Sequence, residues 1–401
     1  MAEDEHRAIY KRCDPKKGDV LLVKDGVNTG DAAVNTLDEE FSLLSSVCLL
    51  RPRPELLFSQ FLRYYLLSPV GYRMVTGQMT GTAIKRIILG RIKESPVPIA
   101  PLNEQRTIVA EIEKQFSRLD EAVANLKRIK ANLKHYKASV LKAAVEGKLT
   151  EDWRKQHPNV EPASKLLERI LAERRVRWTG RGQYKDPIAP DTARPPFLPK
   201  GYTWATFGQL CRVQGGFAFK SSDYVKRGVP LIRISNLVNG RVQITEDTVF
   251  LPEGFAKKFP DFCLRKGDVL IAMSGATTGK MATMPEDFMA LLNQRVGRFE
   301  LSSATLWNAK FISYLVMQIS QKVLKDAYGA AQPNISPSEI EAMSVPLPPL
   351  LEQQYIVAEV ERRLSVIEEL EAAVETNLTR ADRLRQTVLN KAFMGTLITG
   401  L

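Results

Sequence analysis

The pentapeptide Pro101-Leu102-Asn103-Glu104-Gln105 recurs 248 residues later as Pro349-Leu350-Leu351-Glu352-Gln353. The same offset pairs Val97-Pro98 with Val345-Pro346, Val140-Leu141 with Val388-Leu389, and Gly147 with Gly395. Farther upstream, Lys17-Gly18-Asp19-Val20-Leu21 matches Lys266-Gly267-Asp268-Val269-Leu270 at an offset of 249 residues. Self-similarity over this many stretches is typical of a duplicated structural unit. The sequence therefore predicts two copies of one unit.

A long amphipathic segment follows each pentapeptide, from about residue 103 to 146 and from about 351 to 394. Asn103 suits a helix N-cap, and Gly147 and Gly395 suit the left-handed position that ends a helix. Apolar residues recur at steps of three, four and seven, which predicts two helices of roughly 65 Å with coiled-coil seams. The seam residues are Ile112, Leu119, Leu126, Leu133 and Val140 in the first helix and Val360, Ile367, Val374 and Val388 in the second. Because an exposed apolar seam is unfavourable, we predict that the two helices pack on each other.

The segments before the helices combine short β-type runs with turn residues and one helix each, over 57–67 and 307–326. This pattern predicts two α+β globules. The predicted boundaries are an incomplete first globule at 1–100, its long helix at 101–150, a linker with a short charged helix at 151–200, a second globule at 201–348 and a C-terminal long helix at 349–401. The first globule is called incomplete because the counterpart of residues 202–250 would lie before residue 1.

The 401 residues carry a net charge of +12 at pH 7, and the proportions of hydrophobic (44%) and charged (25%) residues exclude wholesale disorder. The four cysteines, at 13, 48, 211 and 263, lie far apart, which favours reduced thiols over disulfides or a zinc site. The polar start is unlike a secretory signal and no apolar run is long enough to span a membrane, so we predict a cytoplasmic protein. The positive charge indicates a polyanionic partner such as nucleic acid, with a merely basic soluble protein as the alternative.

Sequence motifs for catalysis are weak. Residues Gly275-Ala276-Thr277-Thr278-Gly279-Lys280-Met281 resemble a phosphate loop, but three residues separate the glycines where four are needed, and Met follows the Lys. The corresponding Gly26-Val27-Asn28-Thr29-Gly30-Asp31 has Asp in place of Lys, which would repel a phosphate. The three histidines lack the neighbours of a catalytic triad or a zinc site, and the sequence carries no methyltransferase or nuclease motif. We therefore predict a non-catalytic chain with no metal and no cofactor of its own.

Side chains suited to DNA are abundant in both globules. Arg and Lys suit phosphate and guanine, Asn and Gln suit adenine, and Ser and Thr suit several bases. The candidates in the second globule are Lys220, Ser221, Arg233, Asn236, Thr277, Thr278, Lys280, Asn293, Gln294, Arg295, Gln332 and Asn334, and those in the first are Lys24, Asn28, Thr29, Lys85 and Arg86. For each of them, an ordinary turn or surface role is the alternative.

Together these segments resemble the specificity subunit of type I restriction–modification systems. The resemblance rests on the two Pro-Leu-x-Glu-Gln helix starts, on Lys17-Gly18-Asp19-Val20-Leu21, Gly216-Phe217-Ala218-Phe219-Lys220-Ser221, Ser274-Gly275-Ala276-Thr277-Thr278-Gly279 and Ala331-Gln332-Pro333-Asn334-Ile335-Ser336, and on the helix exit Glu146-Gly147-Lys148-Leu149-Thr150. It covers nearly the whole chain, and the motifs come in doubled order.

The resemblance implies that each globule is a target-recognition domain for one half of a bipartite sequence in double-stranded DNA. It also implies that the long helices pack as an antiparallel coiled coil and dock two adenine methyltransferase subunits, which restriction/translocase subunits join. Those partners would use S-adenosylmethionine, ATP and Mg, whereas the specificity subunit would catalyse nothing. Two alternatives follow from the residues themselves: a stand-alone nuclease or NTPase that uses the loop at 275–280, and a coiled-coil interaction protein without a DNA role.

Overall fold

The chain divides into two compact units in a computed structural model that describes residues 3–77, 86–178, 182–191, 197–275, 278–285, 288–301, 308–327 and 334–397. Unit 1 comprises Met1–Asn132 and Glu369–Leu401, and unit 2 comprises Leu133–Glu368. Each long helix therefore contributes its two halves to different units. No helix among the described residues is long and apolar enough to cross a membrane.

Unit 1 places three short strands against helices. Its elements are α1 (Glu3–Cys13), β1 (Val20–Val23), β2 (Ala32–Val34), β3 (Val47–Leu50), α2 (Ser59–Leu67), α3 (Pro69–Thr76), α4 (Leu89–Glu94) and the first part of α5 (Leu102–Val145). The sheet is antiparallel in the order β2-β1-β3, and β1 pairs Leu22 with Cys48 of β3. Alternate residues of β1, Val20 and Leu22, lie in the core with Leu62 and Leu66 of α2, as the period of two of a strand requires.

Unit 2 is larger and contains three sheets. After α5 come α6 (Glu151–Gln156), α7 (Ala163–Val176), β4 (Thr203–Thr206), α8 (Phe207–Leu210), β5 (Cys211–Gly215), β6 (Val229–Ile232), β7 (Leu237–Val238), β8 (Gly240–Val242), β9 (Val249–Leu251), α9 (Gly254–Lys258), β10 (Cys263–Leu264), β11 (Val269–Ala272), β12 (Met281–Thr283), β13 (Ala290–Leu292), β14 (Val296–Leu301), α10 (Ala309–Ala327), α11 (Pro337–Glu341), β15 (Ser344–Leu347) and α12 (Leu350–Phe393). The sheets have the strand orders β5-β14-β11-β12-β8-β7, β10-β13-β6-β9 and β15-β4. The prediction of α+β globules followed by long helices is confirmed.

The duplicated unit is visible in matching strands and turns. Strands β1, β2 and β3 correspond to β11, β12 and β14, because in both sets the first strand pairs with the other two. The Lys-Gly-Asp turn before the first strand also repeats: the Asp19 carboxylate accepts the Lys16 N–H at 2.7 Å, and the Asp268 carboxylate accepts the Arg265 N–H at 2.8 Å. Among the residues that the structure describes, this sheet has three strands in unit 1 and six in unit 2.

The glutamine of each pentapeptide joins a globule to its helix. Gln105 is fully buried; its Nε2 donates to Leu56 O at 2.8 Å and to Ala100 O at 2.7 Å, and its Oε1 accepts from Phe58 N at 2.8 Å. Gln353 is equally buried and makes the same kinds of bond, to Pro348 O and from Asn308 N. Each amide satisfies backbone groups at a helix start, which explains why this residue type recurs there.

The long helices begin and end within one residue of the predicted bounds and run antiparallel within each unit. In unit 1, Lys130 pairs with Glu375 at 2.7 Å and Asp120 pairs with Arg385, so the numbers rise in one helix as they fall in the other. In unit 2, Val140 of α5 and Val360 of α12 share one core. The seam residues Ile112, Leu133, Val140, Val360, Ile367 and Val374 are buried and Leu119, Leu126 and Val388 are half-buried.

The charged helix expected in the linker has a structural role within unit 2. Helix α7 buries Ala163, Leu166 and Ile170, which lie on one face at steps of three and four, in the main core of the unit. The charged side chains by which the sequence predicted a short charged helix lie outside this buried face. The segment is therefore amphipathic rather than polar all round.

Candidate nucleic-acid interface

A glycine turn follows β1 in unit 1 and the corresponding strand β11 in unit 2, and it has the same hydrogen bonds in both. In unit 1, Thr29 Oγ1 donates to Gly26 O at 2.7 Å and Gly30 N donates to Val23 O at 2.8 Å. In unit 2, Thr278 Oγ1 donates to Gly275 O at 2.7 Å and Gly279 N donates to Ala272 O at 2.8 Å. The four glycines have φ between +84° and +102°, a region that side chains disfavour. Both turns are therefore tight, internally bonded structures.

This bonding disfavours a phosphate loop. A phosphate loop leaves successive backbone N–H groups free to surround the anion. Here the N–H of Thr278 donates to Gly275 O at 3.0 Å and that of Gly279 to Ala272 O, so two donors of the described part of the turn are already used.

A second loop lies beside each glycine turn through an equivalent backbone contact. Asp25 forms an antiparallel bridge with Arg86 in unit 1, and Ser274 forms one with Asn334 in unit 2. Arg86 and Asn334 are exposed, so each turn has one exposed polar partner at its side. The candidates Lys85, Thr277 and Gln332 lie outside the described residues.

Three more segments reach the glycine turn of unit 2. Met273 N donates to Arg295 O at 2.9 Å, Gln294 N to Phe217 O at 3.1 Å, and Asn293 N to Ile232 O at 3.2 Å. A Cβ added to Gly275 would lie 3.6 Å from Ile234 Cδ1, which places the 233–236 turn next to the glycine turn. Together with the loop at Asn334, segments from five parts of the sequence therefore meet at one end of the six-stranded sheet.

The predicted DNA-binding residues divide by exposure. The exposed candidates are Asn28, Arg86, Lys220, Ser221, Lys280, Gln294, Arg295 and Asn334, while Lys24 and Arg233 are half-buried. They supply cations and amides, the groups that contact phosphates and base edges.

Four predicted DNA-binding residues, Thr29, Thr278, Asn236 and Asn293, are buried. Asn236 uses its whole amide internally: Oδ1 accepts from Arg233 N at 3.0 Å, and Nδ2 donates to Gln243 O at 3.0 Å and to Thr248 Oγ1 at 2.8 Å. Contact with a base would require this side chain to give up these bonds. In this structure the four residues shape the loops and do not form their surface.

Three further residues belong to this surface and were not among the candidates. Asp25 lies in the bridge to Arg86, and its carboxylate accepts from Lys24 Nζ at 3.3 Å. Ser274 occupies the equivalent position, and its buried Oγ has no hydrogen-bond partner among the described residues. Phe217 keeps 38% of its surface exposed beside Asn293, and its ring packs on Phe259. Positions 25 and 274 directly precede the first glycine of each turn, which is the signal that would have identified them.

Comparison with known proteins finds a family model that matches most of the chain. A model of the type I restriction modification DNA specificity domain matches residues 8–135 and 199–379. The chain is 26% identical over 85% of its length to the type I restriction enzyme EcoAI specificity subunit of Escherichia coli, and 24% identical over 96% of its length to the MjaVIII specificity subunit of Methanocaldococcus jannaschii. It spans 66% and 79% of the lengths of these two relatives.

A solved structure supports the fold independently. A chain from a study of complex assembly and conformational transition of the type I R-M system matches 95% of this chain and 83% of its own length, with a TM-score of 0.64 and 20% identity. The family model covers well over half of the sequence and includes both glycine turns and most of each long helix. The chain belongs to the family of type I restriction modification DNA specificity proteins.

Proposed function

We propose that this chain is the sequence-specific DNA-binding subunit of a type I restriction–modification complex. The observation that carries the proposal is the repeated arrangement of a glycine turn and an adjacent exposed polar residue, Arg86 in unit 1 and Asn334 in unit 2. A duplicated surface of this kind suits a target with two halves, each contacted by one unit. The two surfaces differ in side chains, so the two halves differ in sequence.

Charge supports DNA as the ligand. The net charge of +12 favours association with a polyanion, and exposed cations lie on or near the proposed surface, among them Lys280 and Arg295. Phosphate contacts by cations provide affinity, whereas amides such as those of Gln294 and Asn334 distinguish base edges. The exposed candidates include both kinds of group.

The proposed protein partners are those that membership of this family implies. We propose that the paired helices α5 and α12 dock two adenine methyltransferase subunits and that restriction/translocase subunits join this core in the cytoplasm. The chemistry then belongs to the partners, which use S-adenosylmethionine, ATP and Mg, and this chain is non-catalytic.

The experiment is reconstitution of the complex. The chain is mixed with its cognate methyltransferase subunit, and adenine methylation is mapped on genomic DNA. We expect a stable complex that methylates one bipartite sequence with a fixed gap, whereas neither component methylates it alone. A chain that binds neither the methyltransferase nor DNA contradicts the proposal, and ATP hydrolysis or DNA cleavage by the purified chain, lost in Lys280→Ala, supports a stand-alone enzyme instead.

A further inference from the structure

Val27 is an apolar side chain at the tip of a polar loop. It occupies a central position of the turn that Thr29 N closes onto Gly26 O at 3.3 Å. Its relative exposure is 103%, so the fold covers none of the side chain. Single exposed valines on an ordinary surface need no explanation. This one stands on the surface proposed to meet DNA, next to the exposed Asn28.

The turn holds Val27 in a fixed place. Gly30 N donates to Val23 O at 2.8 Å, Val23 N donates to Asp31 O at 2.8 Å, and Asp31 N donates to Asn28 O at 3.1 Å. The buried Thr29 side chain ties the turn to Gly26. A β-branched side chain also has few χ1 rotamers, so little conformational entropy is lost when Val27 makes a contact.

The base edges in the major groove of DNA offer one apolar group. Base edges in the major groove present donors and acceptors, and the exception is the C5-methyl group of thymine. Lys24 and Asn28 lie within three residues of Val27 in the chain, and Arg86 is bridged to the nearby Asp25; these residues carry groups suited to phosphates and polar base edges. We propose that Val27 contacts the methyl group of one thymine in the half-site bound by unit 1, and this rests on the proposed function.

The two units differ at this position. Val27 corresponds to Ala276 in the second copy, a residue with a much smaller apolar side chain that lies outside the described residues. An apolar contact of the same size is therefore specific to unit 1. The expected consequence is one thymine whose methyl group is sensed through Val27, and none that is sensed through the equivalent position of unit 2.

The experiment replaces thymines by uracil, which lacks only the methyl group. After the bipartite target has been mapped, each thymine in both halves is replaced singly, and the dissociation constant of the chain–methyltransferase complex is measured. At one position we expect uracil to weaken the wild-type complex about fourfold, the value of one buried methyl-sized group. The Val27→Ala complex is expected to bind thymine and uracil equally well at that position.

Control variants separate the inference from a folding defect and from the proposed function. Ile99→Ala removes another exposed apolar side chain of unit 1, 66% accessible, and is expected to keep the full sensitivity to uracil. Val27→Ala should melt at the wild-type temperature because the side chain contacts nothing in the fold. Equal sensitivity of wild type and Val27→Ala at every thymine, or a half-site without thymine, overturns the inference, whereas failure of the wild-type complex to recognise any sequence overturns the proposed function.

Discussion

Glu352 shows how one residue of the repeated pentapeptide differs between the copies. Its carboxylate is fully buried in unit 2 and accepts hydrogen bonds from Thr150, Arg154 and the Tyr202 hydroxyl, the last at 2.9 Å. Burial and the nearby Glu352 charge raise the pKa of Tyr202 far above its usual value, so its hydroxyl remains a donor. The equivalent Glu104 is exposed. Identical positions in the repeat therefore contribute unequally to stability.

Replacing Glu352 by Ala is expected to lower the free energy of unfolding by about 3–5 kcal/mol, because the largely buried Arg154 loses its partner. Urea denaturation followed by circular dichroism measures the change. Glu104→Ala is the matched control and should alter the free energy by less than about 0.5 kcal/mol. Similar losses for the two variants would contradict the difference in burial.

The carboxylate of Glu359 makes a pH-dependent contribution to the free energy of unfolding. Hydrogen bonds from Arg362 and then Arg363 lower its pKa from 4.5 to about 2, against the opposing effect of burial. A folded-state pKa below the unfolded value means that the stabilisation is complete above pH 4.5 and is lost as pH falls toward 2. We expect Glu359→Gln to cost about 1 kcal/mol at neutral pH and progressively less below pH 4.5. Urea denaturation of the wild type and of Glu359→Gln across this pH range measures the difference, and a cost that does not change with pH would contradict the expectation.

At the residue scale, sequence reasoning identified side-chain types but not their exposure. Asn236 and Asn293 were predicted to contact DNA because amides suit adenine, yet both are buried where the 233–236 and 293–295 turns meet other segments. Their burial depends on contacts between distant parts of the chain, such as Asn236 with Thr248, that no local pattern encodes. The equivalence of Asp25 and Ser274, in contrast, was available from the repeat alone.

The long helices were predictable because their signals are local. Apolar residues at steps of three, four and seven specify the buried face, and Gly147 and Gly395, with φ of +71° and +75°, lie two residues past the helix ends. The strands were harder to predict. Strand β6 pairs in parallel with β13, about sixty residues later, and β4 pairs with β15 across almost the whole globule. Register over such separations is set by tertiary packing.

Truncation of the seam tests the helix pair. Ile112 is fully buried in a cluster with Val109 of α5 and Leu389 of α12, so Ile112→Ala should lower the free energy of unfolding by about 2–5 kcal/mol. Ile129 on the same helix is 46% exposed, and Ile129→Ala should cost no more than about 0.5 kcal/mol. Chemical denaturation distinguishes the two variants. Equal losses of unfolding free energy in the two variants would mean that Ile112 does not lie in the buried seam.

At the scale of the whole molecule, each unit is proposed to contact one half of the DNA target. Substitutions in the two units should therefore reduce sequence specificity in different halves. Arg295→Ala removes an exposed cation from unit 2, and Arg86→Ala removes one from unit 1. We expect each variant complex to relax the methylated sequence in one half only, at a cost of about 1–3 kcal/mol per base contact, with the halves reversed between variants. Methylation mapping reads both halves at once. Arg169→Ala, which removes a surface ion pair with Glu161, should leave both halves intact.

The buried glutamines also mark a position in the chain at which one globule could be exchanged for another. The buried amide of Gln105 or Gln353 joins each globule to the start of its long helix, and backbone groups satisfy this amide. If two related genes recombined within the codons of Pro-Leu-x-Glu-Gln, the new globule would meet the long helix through the same glutamine and the same kinds of backbone hydrogen bond. Hybrid chains joined at this pentapeptide should therefore fold and carry combined half-specificities, whereas crossovers inside β11 or β14 should disrupt the six-stranded sheet.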